Sequence, residues 1–499
     1  MTTPVLIVGA GPVGLAAGCE LLRLGVPVRI LDAAADRPKG TRALQLWPPA
    51  LDVLRGLGLL DSAESRGLRV RTMSYHLAGS RRLKVALGSA NEPLLLPQEQ
   101  TNALLEERLE ELGGKVERSA EVTEVRTRGD GVSVEVRGPA GTETVHADWL
   151  IAADGVRSRV RERLGIEFAG DRVPMTFLLA EGSIVGSYEK GHVHYFFGRT
   201  GALVFAPMRN GNVRIAAAVP EDTPLTPESV QTLLDERGPG GLRVGRLDAL
   251  RTFTSSERIA VPLRRGRCFL VGDAAHTHSP VGGQGLNLGL QDVHNLAWKL
   301  AGVIQGRLTL GILESYERER RQAAEQIVHT THQMIRMFTL GRAAARVRNL
   351  SWHGLDATGV LRRWFVPLLA GWRIRYSGSL SADGSASRLP SRGPALLLKN
   401  LPPAGARTPH WVPSTGPDVQ SAFRLLTLGS PAGELVRRGR SMAARRSGLL
   451  THDHLPRRGA GFLLLRPDGY VAASGTTPSG LDRVEDLLGR LAAGQGSEA

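Results

Sequence analysis

The sequence predicts an α/β fold: a Rossmann-type parallel sheet that binds a dinucleotide, carrying an inserted antiparallel sheet and followed by a separate C-terminal unit. Three observations predict it. At the N-terminus an apolar strand runs into a glycine turn, a helix, a second strand and an acid. Strand-like runs separated by turn signals fill Met175 to Val219, and a small, polar stretch near residue 380 precedes a final hairpin pattern. The 499 residues exceed one ordinary core, and at roughly 100 to 200 residues per domain two to four domains are expected.

Val5 to Val8 is apolar throughout, as a strand buried on both faces must be. It leads into Gly9-Ala10-Gly11-Pro12-Val13-Gly14 and a helical stretch from Leu15 to Leu24. Gly9 permits the tight turn, Gly11 removes the side chain that would block a pyrophosphate, and Gly14 lets the helix pack on the sheet. The phosphates then rest on unpaired amides at the positive end of the helix, so Gly9, Gly11, Pro12 and Gly14 are cofactor-binding candidates. A second strand, Val26 to Leu31, ends at Asp32, about 20 residues past the glycines, where a carboxylate accepts ribose hydroxyls and disfavours a 2′-phosphate.

Far downstream, Cys268 to Val271 reads as another buried strand and enters Gly272-Asp273-Ala274-Ala275-His276. The chain continues His278-Ser279-Pro280-Val281-Gly282-Gly283-Gln284-Gly285-Leu286-Asn287-Leu288-Gly289-Leu290-Gln291-Asp292, then Asn295 to Leu300. In this run it resembles the group A FAD-dependent aromatic hydroxylases, the para-hydroxybenzoate and phenol hydroxylase superfamily, in particular its aromatic polyketide hydroxylase subset. The resemblance implies that Gly272 and Asp273 close an FAD site, with the aspartate on the ribityl chain. Gly285, Leu286 and Asn287 are further cofactor candidates, and Pro280, Gly283, Gln284 and Gly285 are the candidates for shaping the oxygen-transfer site. The local physics agrees: glycines let backbone approach a flat ring, and a helix from Leu286 to Gln305 turns its positive end to the flavin pyrimidine. His276 and His278 are candidates for proton transfer, but capping the loop or packing under the flavin is the preferred role.

Trp149 to Arg161 contains Asp154-Gly155 and resembles the family's DG motif, associated with flavin and nicotinamide binding, although Ala153 stands where the family more often has Gly or Cys. Arg42 and Gln98 resemble its flavin-contacting arginine and glutamine. One glycine fingerprint occurs in a strand-to-helix context, so NADPH or NADH is expected to dock transiently rather than in a second Rossmann domain.

Met175 to Gly186, His192 to Phe197, Ala202 to Met208 and Asn212 to Val219 read as strands of the inserted sheet. In the family such a sheet roofs the active site, which makes Tyr195, Phe196, Phe197, Phe205 and Met208 candidates to line a substrate pocket. At period two, about half must face away. His194 and Arg209 are weaker candidates for a phenol or carboxylate. Arg307 to Met337 is helical by pattern, and Tyr316-Glu317-Arg318-Glu319-Arg320 matches a family helix whose charges are expected to pair along its surface.

Ser377 to Ser385 reads as a linker, and Phe462 to Ala472 as two strands joined by Pro467-Asp468-Gly469. The tail resembles the thioredoxin-like domain of the phenol and polyketide hydroxylases, here without cysteine, which leaves a structural or dimer-contact role. The expected division is 1–172 and 261–376 for the two parts of the FAD-binding domain, 173–260 for the inserted sheet, 377–392 for the linker and 393–499 for the thioredoxin-like domain.

A net charge of +15 would suggest nucleic acid if it were concentrated, but the arginines are scattered. The denser stretches Arg342 to Arg375 and Arg437 to Arg458 read as solvated helix faces. Cys19 and Cys268 are not spaced for a metal or a redox pair and read as small buried hydrophobes. No metal, nucleic acid or membrane partner is expected, and with no basic leader or spanning apolar run a cytoplasmic monomer or homodimer is.

The resemblance thus implies a single-component monooxygenase in which NAD(P)H reduces FAD, O2 forms a flavin C4a-hydroperoxide, and a polycyclic, polyketide-like aromatic is hydroxylated. A Baeyer-Villiger or epoxidising monooxygenase on the same scaffold, or a flavoprotein that sequesters a natural product without turnover, are the alternatives. No W-x-W spacing supports a halogenase, and the Gly272-Asp273 motif argues against a flavin-free dehydrogenase.

Overall fold

The structure, a computed structural model, describes residues 3–37, 43–77, 82–198, 201–338, 340, 342–378, 380, 401–412, 422–457 and 459–493. Its first sheet is built on buried aliphatic runs. Thr3–Val8 lies at the centre, parallel to Val28–Leu31 on one side and Gly141–Ala152 on the other, and Cys268–Leu270 adds in parallel beyond. Helices Pro12–Arg23, Gln98–Glu111 and Gly285–Ile304 pack with this sheet in one continuous core. Parallel order brings the carboxyl ends of three strands to one edge, so the turns at Gly9, Asp154 and Gly272 meet although their sequence positions are far apart.

A second sheet takes its strands in the order His276–Thr277, Arg243–Val261, Glu167–Val185, Val213–Val219, Ala202–Pro207, His192–Phe197, Thr72–Leu77, Leu83–Ala86. It is not a contiguous insertion. The last two strands come from ahead of residue 173, and Thr72–Leu77 docks parallel to His192–Phe197. Arg243–Val261 was not legible as a strand, because most of its residues are half-buried and no sustained alternation results. It pairs with Glu167–Val185 along most of its length and with His276–Thr277 at its end, tying the sheet to the segment after Gly272.

Two helix expectations need correction. The segment from Arg307 is not helical at its start: Gly306 closes the preceding helix at φ 66, Leu308 forms a bridge with Ala492, and the long helix is Glu314–Phe338. Some of its charges do pair along the surface, as Arg321 does with Glu325 (3.0 Å), but within Tyr316 to Arg320 the side chains turn largely inward. Tyr316, Glu319 and Arg320 are fully buried. Glu319 accepts from Arg466 (2.6 Å) and Lys299 (2.7 Å), while Asn295 bridges Glu319 and Asp468. Arg348, expected on a solvated face, is buried with its guanidinium 5.2 Å from the Phe197 ring centroid.

This buried network joins the first sheet and its helices to the tail. The tail's sheet has the order Leu450–Leu455, Phe423–Leu428, Gly461–Leu465, Val471–Gly475, the first pair parallel and the others antiparallel, with helices Glu434–Arg445 and Pro478–Leu491 packed on it. Cys19 and Cys268 are buried, and burial pushes both thiols up to about 12. Among the described residues no helix is long and apolar enough to cross a membrane. Most of the 377–392 linker lies outside the described residues.

Candidate functional site

The glycine turn divides its residues between packing and vacancy. A Cβ on Gly9, which sits at φ 102, would lie 2.4 Å from the carbonyl oxygen of Ala153, and one on Gly14 would lie 1.9 Å from that of Gly9. At Gly11 an added Cβ meets nothing within 4 Å. Two glycines are thus required by the protein itself, whereas the third borders the open space a pyrophosphate needs. Helix Pro12–Arg23 begins here with Pro12 in its first turn and no side-chain cap, which leaves the amides after Pro12 as free donors. At the neighbouring strand end, Asp32 accepts from the amides of Ala10 (2.5 Å) and Ala34 (2.8 Å), fixing its carboxylate beside the turn. With about four acceptor positions it keeps capacity for ribose hydroxyls.

Gly272 is fastened from behind by Asp292. One carboxylate oxygen accepts the Gly272 amide (2.9 Å) and His276 Nε2 (2.7 Å), and the other accepts Arg320 Nε (2.6 Å), all out of solvent. Burial alone would raise the pKa of Asp292, but the imidazole and the guanidinium beside it hold it below the usual value. His276 is therefore a strut of the turn. Asp273 stands exposed in the first turn of the short helix Gly272–Ala274. A Cβ on Gly289 would lie 2.7 Å from Val13 and 3.1 Å from the Gly272 Cα, so this glycine lets helices Pro12–Arg23 and Gly285–Ile304 and the Gly272 turn close on one another.

The loop Pro280 to Gly285 turns at Gly282 (φ 86) and Gly283 (φ 62) and feeds helix Gly285–Ile304. Its carbonyls are held from outside: Trp47 Nε1 donates to Gly282 (2.9 Å) and Asn287 Nδ2 to Gly283 (2.7 Å). Asn287 also donates to Gln45 O (2.8 Å) and accepts from the Trp47 amide (2.6 Å). Gln284 donates to Leu369 O (2.5 Å).

The side chains of Asn287 and Gln284, named as a cofactor contact and a catalytic candidate, thus hold the loop in place. What remains for a ligand is backbone: the amides of Gly285, Leu286 and Asn287 open the helix, whose first turn has no side-chain cap. Gln45 and Trp47 were missed by the sequence reading, since no motif contains them and their partners lie more than 200 residues away. His278 packs against Gly285, its Nδ1 donating to Ser279 O (2.8 Å), and burial pushes its pKa down to about 4.

Facing this loop is one side of the second sheet. Tyr195, Phe197 and Met208 share an apolar cluster with Trp47, Tyr75, Trp352 and Val281, and Tyr75 stacks on Tyr195 at 5.2 Å. Phe196 and Phe205 do not belong to it. Both lie on the opposite face, packed with Val230, Leu233 and Leu234, because alternate residues of a strand face opposite ways. His194 is on that far side as well, bonded to Glu189 O (3.0 Å) and His76 (3.2 Å). Among the described residues Arg209 reaches Gly67 O (3.4 Å).

Two motif residues act close to home. Asp154 accepts from the Val160 amide (3.0 Å), and burial raises its pKa. Gln98 clasps Ala43 by accepting its amide and donating to its carbonyl (both 3.1 Å), while Arg42 next to it lies outside the described residues.

The family model of the FAD binding domain matches residues 2–331. A 6-methylpretetramide 4-monooxygenase of Streptomyces rimosus is 32% identical over 94% of this chain and 90% of the relative. A rifampicin monooxygenase of Rhodococcus hoagii is 29% identical over 98% of each chain. Among solved structures, an anhydrotetracycline hydroxylase from Streptomyces rimosus is 27% identical and superposes with a TM-score of 0.75 over 99% of this chain and all of that one.

Proposed function

The chain belongs to the FAD binding domain family of flavin-dependent monooxygenases, and on that premise we propose that it uses NAD(P)H and O2 to hydroxylate a polycyclic, polyketide-like aromatic. One observation carries the reading. The loop Pro280 to Gly285 lies between a nucleotide turn with room for a pyrophosphate and an apolar, aromatic sheet face.

FAD, when bound, supplies the electron transfer and oxygen activation. The protein's part is to bind, orient and exclude water. In this reading Gly11 and the start of helix Pro12–Arg23 take the pyrophosphate, Asp32 the ribose and Asp273 the ribityl hydroxyls. The amides of Gly285, Leu286 and Asn287 would hold the flavin's electron-rich end, since a helix N-terminus stabilises negative charge. Pro280 and Gly283 leave the ring face open, and Gln284 and Asn287 keep the loop from moving. Tyr195, Phe197 and Met208 form an apolar wall against which a fused-ring substrate lies flat, keeping water from the reacting carbon.

The wall is tested by a pair of variants. Tyr195→Ala is expected to raise KM for a polycyclic phenol about tenfold, the loss of roughly 1.4 kcal/mol of aromatic contact. Phe205→Leu, on the far face, should lower stability by about 1 kcal/mol and leave KM unchanged. Equal KM effects from the two would remove Tyr195 from the substrate site.

A further inference from the structure

Between the flavin body and the C-terminal sheet lies a cavity of about 500 Å³, within the usual size of small-molecule sites. It opens between helices Pro48–Gly56 and Gly285–Ile304 on one side and the 407–412 and 465–470 segments on the other. It is separate from the sheet face assigned to substrate: none of Tyr195, Phe197, Met208 or the Pro280 to Gly285 loop lines it.

The walls carry five guanidinium groups against two carboxylates. Four of the five are neutralised locally. Arg55 pairs with Asp52, Arg69 with Glu64, Arg424 with Asp453, and Arg466 with Glu319 and Asp468. Arg407 is different. It has no carboxylate partner among the described residues; it donates to Gln291 Oε1, and its guanidinium lies 4.6 Å from the Tyr470 ring centroid and 5.9 Å from that of Trp372. Across from it the His410 ring meets Trp372 edge-on at 4.4 Å. A cation without a carboxylate partner, packed near aromatic rings inside a concave wall, attracts an anion, and the same rings offer a stacking surface.

We propose that this cavity is a second ligand site, taking a planar aromatic ring that carries an anionic group. A phosphorylated adenine nucleotide and a fused-ring aromatic carboxylate share that chemistry. The anion pairs with Arg407, and the ring lies against Trp372 and His410. The site stands independently of the hydroxylation reading, since it rests on residues outside the oxygen-transfer loop and the substrate wall.

The test uses the FAD-loaded full chain and calorimetric titration with two probes, 2′,5′-ADP and anthraquinone-2-carboxylate, alongside quenching of tryptophan fluorescence. At least one probe should bind, at least tenfold more weakly to Arg407→Met, and with affinity falling as salt rises. Arg407→Lys should keep part of the affinity because the charge remains. Trp372→Phe should lose most of the fluorescence response while calorimetry still detects binding. Preference for the nucleotide assigns the site to a dinucleotide's adenosine phosphates, and preference for the carboxylate assigns it to an aromatic acid. Absence of binding by both probes, or binding that Arg407→Met leaves unchanged while FAD content and unfolding temperature are those of the parent, overturns the proposal.

Discussion

Gly11 and Gly14 stand three residues apart in one turn, yet they serve different masters. Gly11 faces open space, whereas Gly14 is pressed on the carbonyl of Gly9. Gly11→Ala should therefore fold with stability within about 0.5 kcal/mol of the parent but hold FAD at least tenfold more weakly, read from flavin absorbance after dialysis. Gly14→Ala should cost about 1–3 kcal/mol in chemical unfolding, against the helix propensity that favours alanine. Equal stability losses would show that Gly11 is not reserved for a ligand.

His278 makes the pH prediction at this scale. Its unfolded value is about 6.5, and in the fold burial brings it down to about 4. Between those values the unfolded chain takes up a proton that the folded one refuses, so this group's stability contribution is present above about pH 6.5 and lost as pH falls toward 4. From pH 7 to 5 the loss is about 2 kcal/mol. Unfolding of His278→Phe should lose less stability over that interval than the parent, and an identical pH slope would contradict the assignment.

At the scale of elements, the joints are buried ion networks rather than loops. Arg466 sits in the tail sheet's hairpin and grips Glu319 of helix Glu314–Phe338 by two hydrogen bonds of 2.6 and 2.7 Å, with Lys299 and Asp468 closing the network. Removing one partner leaves buried charge uncompensated, so Arg466→Met should cost about 3–5 kcal/mol. Calorimetry should still show the tail and flavin body unfolding together in the parent, and two separate transitions there would mean that the network does not couple them.

The same network shows where sequence reading stops. Alternating charges usually are solvated, which predicts a surface helix over Tyr316 to Arg320, and nothing local reveals that Arg466, 147 residues later, meets Glu319. Elements that carry their own period or turn were legible: Thr3–Val8, His192–Phe197 and the Gly461–Leu465 hairpin lie where the pattern put them. Arg243–Val261 and the Thr72–Ala86 pair were not, since one lacks alternation and the other joins its sheet across more than 100 residues. In the site, the glycine turns were visible as motifs, while Gln45 and Trp47 come into the loop only through tertiary contact. Period two foretold that half the aromatic candidates would face away, but which half depended on the side of the sheet that the loop occupies.

For the whole molecule, the proposed flavin site lies where the parallel sheet's turns meet the antiparallel sheet's aromatic face. Membership of the FAD binding domain family supports flavin-dependent monooxygenation, and the proposed function assigns each segment a task in it. The measurement that reaches the central claim most directly is stopped-flow absorbance of the FAD-loaded chain mixed without oxygen with NADPH or NADH, with and without a panel of polycyclic phenols, then exposed to air and analysed by mass spectrometry. The account predicts that a polycyclic phenol accelerates flavin bleaching and emerges one oxygen atom heavier, that atom coming from labelled O2. Bleaching indifferent to every phenol, with no oxygenated product in air, would contradict it.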